Sequence, residues 1–145
     1  MGEAPRNLEF KQFNGVRELL DWLDNEISNT KAVLGDLLRI VEEDKAKAEI
    51  VTRLESLLSE ISGSKPAGLR EAQLELGGVK VYINPTPKLE LDLLIDVLRS
   101  IQQKVVQLER AKKSLEPLAK IDVGGIKVSV ISENGVPRHV LIKIP

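Results

Sequence analysis

A stripe of apolar residues runs through the first half of the chain at heptad spacing and changes phase once. Its first part advances in steps of 3, 4, 7, 3 and 4 residues, the spacing of the core positions of a coiled coil. The members of this part are Leu20, Leu23, Ile27, Leu34, Leu37 and Val41. After the charged residues 42–47 the stripe resumes at Ile50 and reaches Ile61 in a different phase. The pattern predicts a long first helix over about residues 15–62, with Asn14 as the candidate N-cap.

The phase change leaves two interpretations open: one helix with a phase slip, or two helices that meet near residues 43–47. A single helix over 15–62 would extend about 70 Å at roughly 1.5 Å per residue, and a partner would have to cover it. Neither proline nor glycine lies within 43–47, so we favour a continuous helix. Gly35 is its weakest internal point.

A β element over residues 74–84 is expected after this helix and after a glycine- and proline-rich loop at 63–68. Apolar positions are even-numbered before Gly77-Gly78 and odd-numbered after it. A hairpin turn or a bulge at Gly77 and Gly78 would bring both sets to one face, and the turn would place Leu76 opposite Val79.

A second helix is predicted over about residues 87–118. Thr86 is a suitable N-cap, Pro87 fits the first helical position, and Pro117 should end or kink the helix. Its apolar stripe comprises Leu91, Leu94, Leu98, Ile101, Val105 and Leu108.

A β-hairpin over residues 121–144 is expected to close the chain. A second glycine pair, Gly124 and Gly125, precedes it, and Asn134-Gly135 marks its turn. A three-residue loop over 133–135 keeps Val140 on the apolar face, whereas a two-residue turn would not. The expected partners are therefore Val128 with Val140 and Ile126 with Ile142. Because Pro137 cannot donate a ladder hydrogen bond, the last strand should lie at a sheet edge.

The two glycine pairs lie 47 residues apart, and the apolar stripes before them align at the same offset. This spacing predicts a pseudo-repeat of a helix followed by a small β element. We expect a single α+β domain over 1–145, in which 1–13 form an N-terminal arm. Residues 14–84 and 85–145 would each supply one helix and its β element.

Catalytic and metal chemistry find little support in the composition. The chain has no cysteine and one histidine, His139, for which no acid or base partner can be placed. Glu42, Glu43 and Asp44 are consecutive on a helix and point about 100° apart, so they do not converge on one ion. Neither glycine pair has the spacing of a phosphate-binding loop. We expect a non-enzyme without cofactor or metal.

The charge is distributed unevenly along the chain, and its basic part is a candidate contact for an acidic partner. The net charge is −1, which argues against a dedicated nucleic-acid binder, but residues 73–145 carry +3 against −4 for 1–72. The residues that would contact nucleic acid or an acidic partner are Lys104, Arg110, Lys112, Lys113 and Lys127. A membrane span needs roughly 18 apolar residues in a row, and the sequence has no such run. A cytoplasmic protein without membrane association is expected.

Two coiled-coil helices joined by a small β element are similar in outline to the prefoldin co-chaperones. Residues 74–83 occupy the place of that family's hairpin, which assembles a barrel in the oligomer. The resemblance implies an oligomeric chaperone that holds unfolded clients. The chain departs from the family through its further hairpin over 121–144, and it carries no motif specific to the family.

Self-association through the helix stripes is the function that the sequence favours. The first helix exceeds the second by about half its length, and an uncovered stripe would be an exposed apolar patch. We therefore expect a homodimer or higher oligomer acting as an assembly, adaptor or scaffold protein, with another protein as a further partner. The alternatives are a prefoldin-like holdase and a nucleic-acid-associated protein using the basic residues of the second helix and the β region.

Overall fold

The computed structural model describes residues 7–62, 72–121 and 123–145 and has an α+β fold, as predicted. The elements in chain order are β1 (Leu8–Phe13), α1 (Val16–Ser62), β2 (Ala72–Leu76), β3 (Val79–Ile83), α2 (Pro87–Leu115), a 3₁₀ helix (Glu116–Lys120), β4 (Lys127–Glu133) and β5 (Val136–Lys143). The predicted loop at 63–68 and the first six residues of the predicted arm lie outside the described residues.

The chain divides into two compact units, and each contains parts of both helices. Unit 1 comprises Met1–Leu34 and Ser100–Pro145, and unit 2 comprises Gly35–Arg99. Unit 1 holds the three-stranded sheet β1-β4-β5, and unit 2 holds the two-stranded sheet β2-β3. The predicted single domain with halves meeting near residue 85 stays a prediction.

Helix α1 is continuous over 47 residues, which confirms the single long helix. It starts one residue later than the sequence suggests, because Gly15 has φ +140° and its carbonyl accepts the amide of Leu19. Asn14 is therefore not the N-cap. Its backbone amide donates to Glu18 Oε2 at 3.1 Å, and its side-chain Oδ1 accepts from Lys127 Nζ at 2.8 Å.

Helix α2 begins as the sequence predicts and ends slightly earlier. The hydroxyl of Thr86 accepts the amide of Leu89 at 3.1 Å, which satisfies one of the free donors of the first turn. The α-helix stops at Leu115, and Pro117 lies in the 3₁₀ helix that follows. Proline lacks the amide that an α-helical turn would use at this position.

The sheet of unit 1 contains a strand that the sequence did not predict. β1 lies within the expected arm and pairs antiparallel with β4, with Phe13 opposite Val128. Its six residues are too few to establish an alternating pattern in the sequence. β4 thereby becomes the central strand, and Val128 and Val130 are fully buried or nearly so.

The β4–β5 hairpin has a different register from the one expected. Glu133 pairs with Val136 across a two-residue turn, in which Asn134 and Gly135 both have positive φ. The ladder then shifts between Ile131 and Ser132. The observed partners further along are Val128 with Ile142 and Val130 with Val140. The predicted three-residue loop is therefore wrong.

The shift consists of one extra residue in β5, Arg138, between the partners of Ile131 and Ser132. This bulge follows Pro137, which has no amide to donate to the ladder. It returns Val140 to the apolar face by another route than a longer loop. β5 does lie at the sheet edge, as expected from Pro137.

Both helices contribute to the core of unit 1. Leu19 and Leu23 of α1 and Leu108 of α2 are fully enclosed. The full set of buried apolar residues in this core is Phe13, Val16, Leu19, Leu23, Ile27, Leu108, Ile126, Val128, Val130 and Val136. The ring of Trp22 packs against it, 5.7 Å from the ring of Phe13 and beneath the ammonium group of Lys11.

The β2–β3 hairpin of unit 2 has the turn and the register expected. Gly77 and Gly78 have φ +57° and +82°, and Leu76 pairs with Val79. Glycine adopts these angles without the steric penalty that a side chain would bring. The second pair, Gly124 and Gly125, does not form a hairpin turn but precedes β4.

Replacing Leu108 by alanine should lower the free energy of unfolding by about 3 kcal/mol, because a fully enclosed leucine leaves a cavity. Leu93→Ala, on the same helix but at a half-exposed position, is the matched control and should cost less than about 1 kcal/mol. Urea denaturation followed by circular dichroism measures both values. Equal losses for the two variants would contradict the core described for unit 1.

Candidate interaction surface

Unit 2 buries very little of its own apolar surface. Among the described residues of Gly35–Arg99, only Leu37, Val41 and Asp44 are buried, and one of these three is an acid. Unit 1 encloses a core drawn from two helices and a sheet. Most of the exposed large apolar side chains among the described residues therefore belong to unit 2.

The exposed apolar surface with the most regular spacing lies near the C-terminal end of α1. Four residues advance in steps of 4, 3 and 4, and each exposes more than half of its surface: Ile50, Leu54, Leu57 and Ile61. This set is named the α1 seam. At roughly 100° per residue, it lies about 150° around the helix from the face of Leu37 and Val41. The phase change in the sequence thus sends the stripe to the outer face of the helix.

The β2–β3 hairpin presents a second exposed apolar surface. The pairs Leu74–Val81 and Leu76–Val79 share one face, because partners in an antiparallel ladder point to the same side. Leu74, Leu76 and Val79 are exposed, and Val81 is half-buried. Residues of the opposite face, such as Glu75 and Lys80, are polar.

The sheet of unit 1 exposes a smaller apolar area on its outer face. Phe10 lies opposite Ile131, and Leu141 lies opposite Ser129, on the side away from the core-facing Val128. Phe10 and Leu141 are exposed. This area is an additional candidate for contact with a partner, but it lacks the regular spacing of the α1 seam.

Two carboxyl groups meet inside unit 2. Asp44 continues the buried stripe of α1 three residues after Val41, and its side chain reaches Glu90 of α2. Among the described residues, Oδ2 of Asp44 is buried without a hydrogen-bond partner. Burial, followed by the charge and hydrogen bonding of Asp44, raises the pKa of Glu90, and the nearby Lys47 partly opposes this. When the Glu90 carboxyl is protonated, it can donate a hydrogen bond to Asp44.

Half of the residues predicted to form an oligomer interface are buried within the chain itself. The buried ones are Leu23, Ile27, Leu37, Val41, Val105 and Leu108. The half-buried ones are Leu20, Leu34, Leu91, Leu94, Leu98 and Ile101. Their role between copies stays a prediction. The sequence also contained the signal for the α1 seam, namely the second phase of the stripe, which the predicted interface left out.

Three of the five predicted basic contact residues have neighbours within unit 1. Lys112 forms an ion pair with Asp24, which raises the pKa of the lysine, and Lys127 donates to Asn14. The end of the Lys104 side chain lies against Gly135. Arg110 and Lys113 are exposed. Contact of these residues with nucleic acid or an acidic partner stays a prediction.

The described part of the chain offers no cluster of three or more metal-binding side chains. His139 is exposed on β5. A groove in unit 1 is lined by Asn14, Arg17, Gly125 and Ile126 among others, and Arg17 is the one charged side chain among its described lining residues. None of the described helices has the length and apolarity needed to cross a membrane.

Glu90→Gln should increase the stability of unit 2 at neutral pH. A raised pKa means that the folded state binds the proton more tightly, so its contribution is complete at low pH and is lost as the pH rises through the raised pKa. The side-chain amide of glutamine can donate a hydrogen bond to Asp44 without first taking up a proton from solution. The free energy of unfolding at neutral pH should therefore rise by about 1 kcal/mol. Urea denaturation at several pH values measures this, and the variant should lose the part of the pH dependence due to Glu90.

Asp92→Asn is the matched control, because it also converts an acid to an amide on an exposed position of α2. It should leave the free energy of unfolding at neutral pH nearly unchanged, because an exposed side chain makes few contacts. A Glu90→Gln protein that is less stable than the parent at neutral pH would contradict the hydrogen bond proposed between protonated Glu90 and Asp44.

No family model, curated protein or solved structure matches this chain. The interaction surface therefore rests on the geometry of the chain's own residues.

Proposed function

We propose that this protein is a non-catalytic assembly or adaptor protein that acts as a homo-oligomer, in the cytoplasm. The observation that carries the proposal is the α1 seam, a regular apolar stripe on the outer face of a rigid helix. Apolar patches of this kind on otherwise polar surfaces mark sites of protein association.

The small core of unit 2 supports the same conclusion. A compact unit needs buried apolar surface to offset the conformational entropy lost on folding. Unit 2 buries two apolar side chains among its described residues and places Asp44 beside them. Association of copies would supply the burial that unit 2 does not reach within one chain.

Pairing of the helix stripes as a coiled coil is part of the proposal, since heptad spacing favours it. The pseudo-repeat of about 47 residues aligns Ile50 with Val97 and Leu54 with Ile101. All four are exposed or half-buried. We propose that the two stripes had a common origin.

Light scattering at low and high salt tests the proposed function. The mass should be at least twice 16.1 kDa at both salt concentrations, because apolar contacts are insensitive to ionic screening. Leu57→Glu places a charge in the middle of the α1 seam and should weaken association at least tenfold.

Val106→Glu is the matched control, because Val106 is about as exposed as Leu57 but lies on α2 in unit 1. This variant should keep the mass of the parent protein. A parent protein that stays at 16.1 kDa at high micromolar concentration would contradict the proposed function.

A holdase chaperone is a second candidate, favoured by the exposed apolar face of the β2–β3 hairpin. Leu76 and Val79 expose about three fifths of their surface at the end of this hairpin. Such a face can bind unfolded segments that carry apolar side chains.

The double variant Leu76→Thr with Val79→Thr tests the holdase hypothesis while keeping strand-forming residues. It should lose most of the ability to suppress aggregation of an unfolded client protein, with the solution mass unchanged. A parent protein that does not suppress aggregation at equimolar concentration would contradict this candidate.

A further inference from the structure

We infer that two copies of this chain pair through the α1 seam in an antiparallel, two-fold symmetric arrangement, with Leu54 of one copy opposite Leu57 of the other. This inference rests on the proposed function and specifies its partner, a second copy, and its register. The surfaces at the β2–β3 hairpin and at the outer face of the unit 1 sheet are separate and take no part in it.

The size of the exposed surface fits a dimer contact. The four side chains of the α1 seam expose roughly 500 Å², against about 800 Å² per partner in a stable interface. Val51, Arg53 and Glu60 flank the seam and are also exposed, so they supply the remainder. A rigid helix that needs no ordering on binding also lowers the entropic cost.

The spacing of the seam makes it self-complementary in the antiparallel direction. When Leu54 faces Leu57 of the second copy, Ile50 faces Ile61 of that copy, and the reverse pairs follow by symmetry. Every seam residue then meets an apolar side chain. The two-fold axis passes at the level of Glu55 and Ser56, and such an isologous contact is the commonest way in which copies associate.

Charges beside the seam favour this direction. Arg53 and Glu60 occupy the same heptad position, one heptad apart, on one side of the seam. In an antiparallel pair such positions lie next to each other across the interface, so Arg53 of each copy would meet Glu60 of the other. In a parallel pair Arg53 would instead lie beside the apolar Leu58 of the other copy, and Glu60 would lie opposite a position beyond the end of α1.

The residues before the seam disfavour the parallel direction. Lys47 and Glu43 continue the heptad positions of the seam toward the N-terminus of α1. A parallel pair would place Lys47 against Lys47 and Glu43 against Glu43 at core positions, and like charges there are destabilising. In the antiparallel register both residues lie beyond Ser62, where α1 of the second copy ends.

Spin labels on introduced cysteines test the register, since the chain has no cysteine of its own. Glu49 and Ser56 are exposed and occupy the same heptad position. In the antiparallel pair, labels at Ser56→Cys are about 2 Å apart along the axis and labels at Glu49→Cys about 20 Å apart, at roughly 1.5 Å per residue. We therefore expect a clearly longer distance at Glu49→Cys. Equal distances would establish a parallel pair and overturn the inference.

Charge reversal gives an independent readout in the full-length protein. Arg53→Glu and Glu60→Arg should each raise the dimer Kd about fivefold, because each creates two like-charge contacts by symmetry. The combined variant should return to within about twofold of the parent. Glu55→Arg, an exposed reversal outside the seam, is the matched control and should change the Kd less than twofold.

These outcomes separate the two levels of the proposal. A dimer in which the combined charge variant is not rescued, or in which the label distances are equal, overturns the register and leaves the proposed function intact. A parent protein that is monomeric at every concentration overturns both.

Discussion

The unbroken course of α1 through its charged middle segment is the constraint on which the rest of unit 2 depends. A proline or glycine in residues 42–47 would let the helix bend and turn its second apolar stripe back toward the same side as the first. Without such a residue, side-chain directions after Val41 are fixed by helical geometry alone. The stripe that restarts at Ile50 must then face outward, whatever it would gain by facing inward.

Unit 1 shows what the same kind of stripe does when a partner is present in the chain. Val16, Leu19 and Leu23 advance in steps of 3 and 4, as Leu54, Leu57 and Ile61 of the α1 seam do. They are nevertheless buried, because α2 and the sheet cover them. β1 makes this possible, since it converts β4 into a central strand on which Val128 and Val130 are enclosed in the core. The contrast between the two ends of one helix therefore lies in the surroundings of the stripe and not in its composition.

Local patterns predicted the elements well where one physical signal dominated. The cap at Thr86 and the turn at Gly77-Gly78 follow from chemistry within a few residues, and both are as expected. The register of β4 and β5 could not be predicted in the same way, because two different strand pairings keep Val140 on the apolar face. A longer loop and a bulge at Arg138 are equivalent in pattern, and only the ladder distinguishes them. β1 was not predicted for another reason, because a six-residue edge strand depends on its partner more than on its own sequence.

The candidate surface was visible in the sequence as a phase change but could not be placed without the fold. Knowing that Leu37 and Val41 face inward is what turns the shift at Ile50 into an outward-facing seam. The same reasoning explains why Asp44 is buried: it continues the inward-facing stripe, and its carboxyl group lies beside Glu90. Its burial weakens the packing of unit 2 at the point where the stripe changes face. In the proposed oligomer, a unit with so little core and an acid within it would gain most from contacts outside the chain, and this would link the stability of unit 2 to assembly.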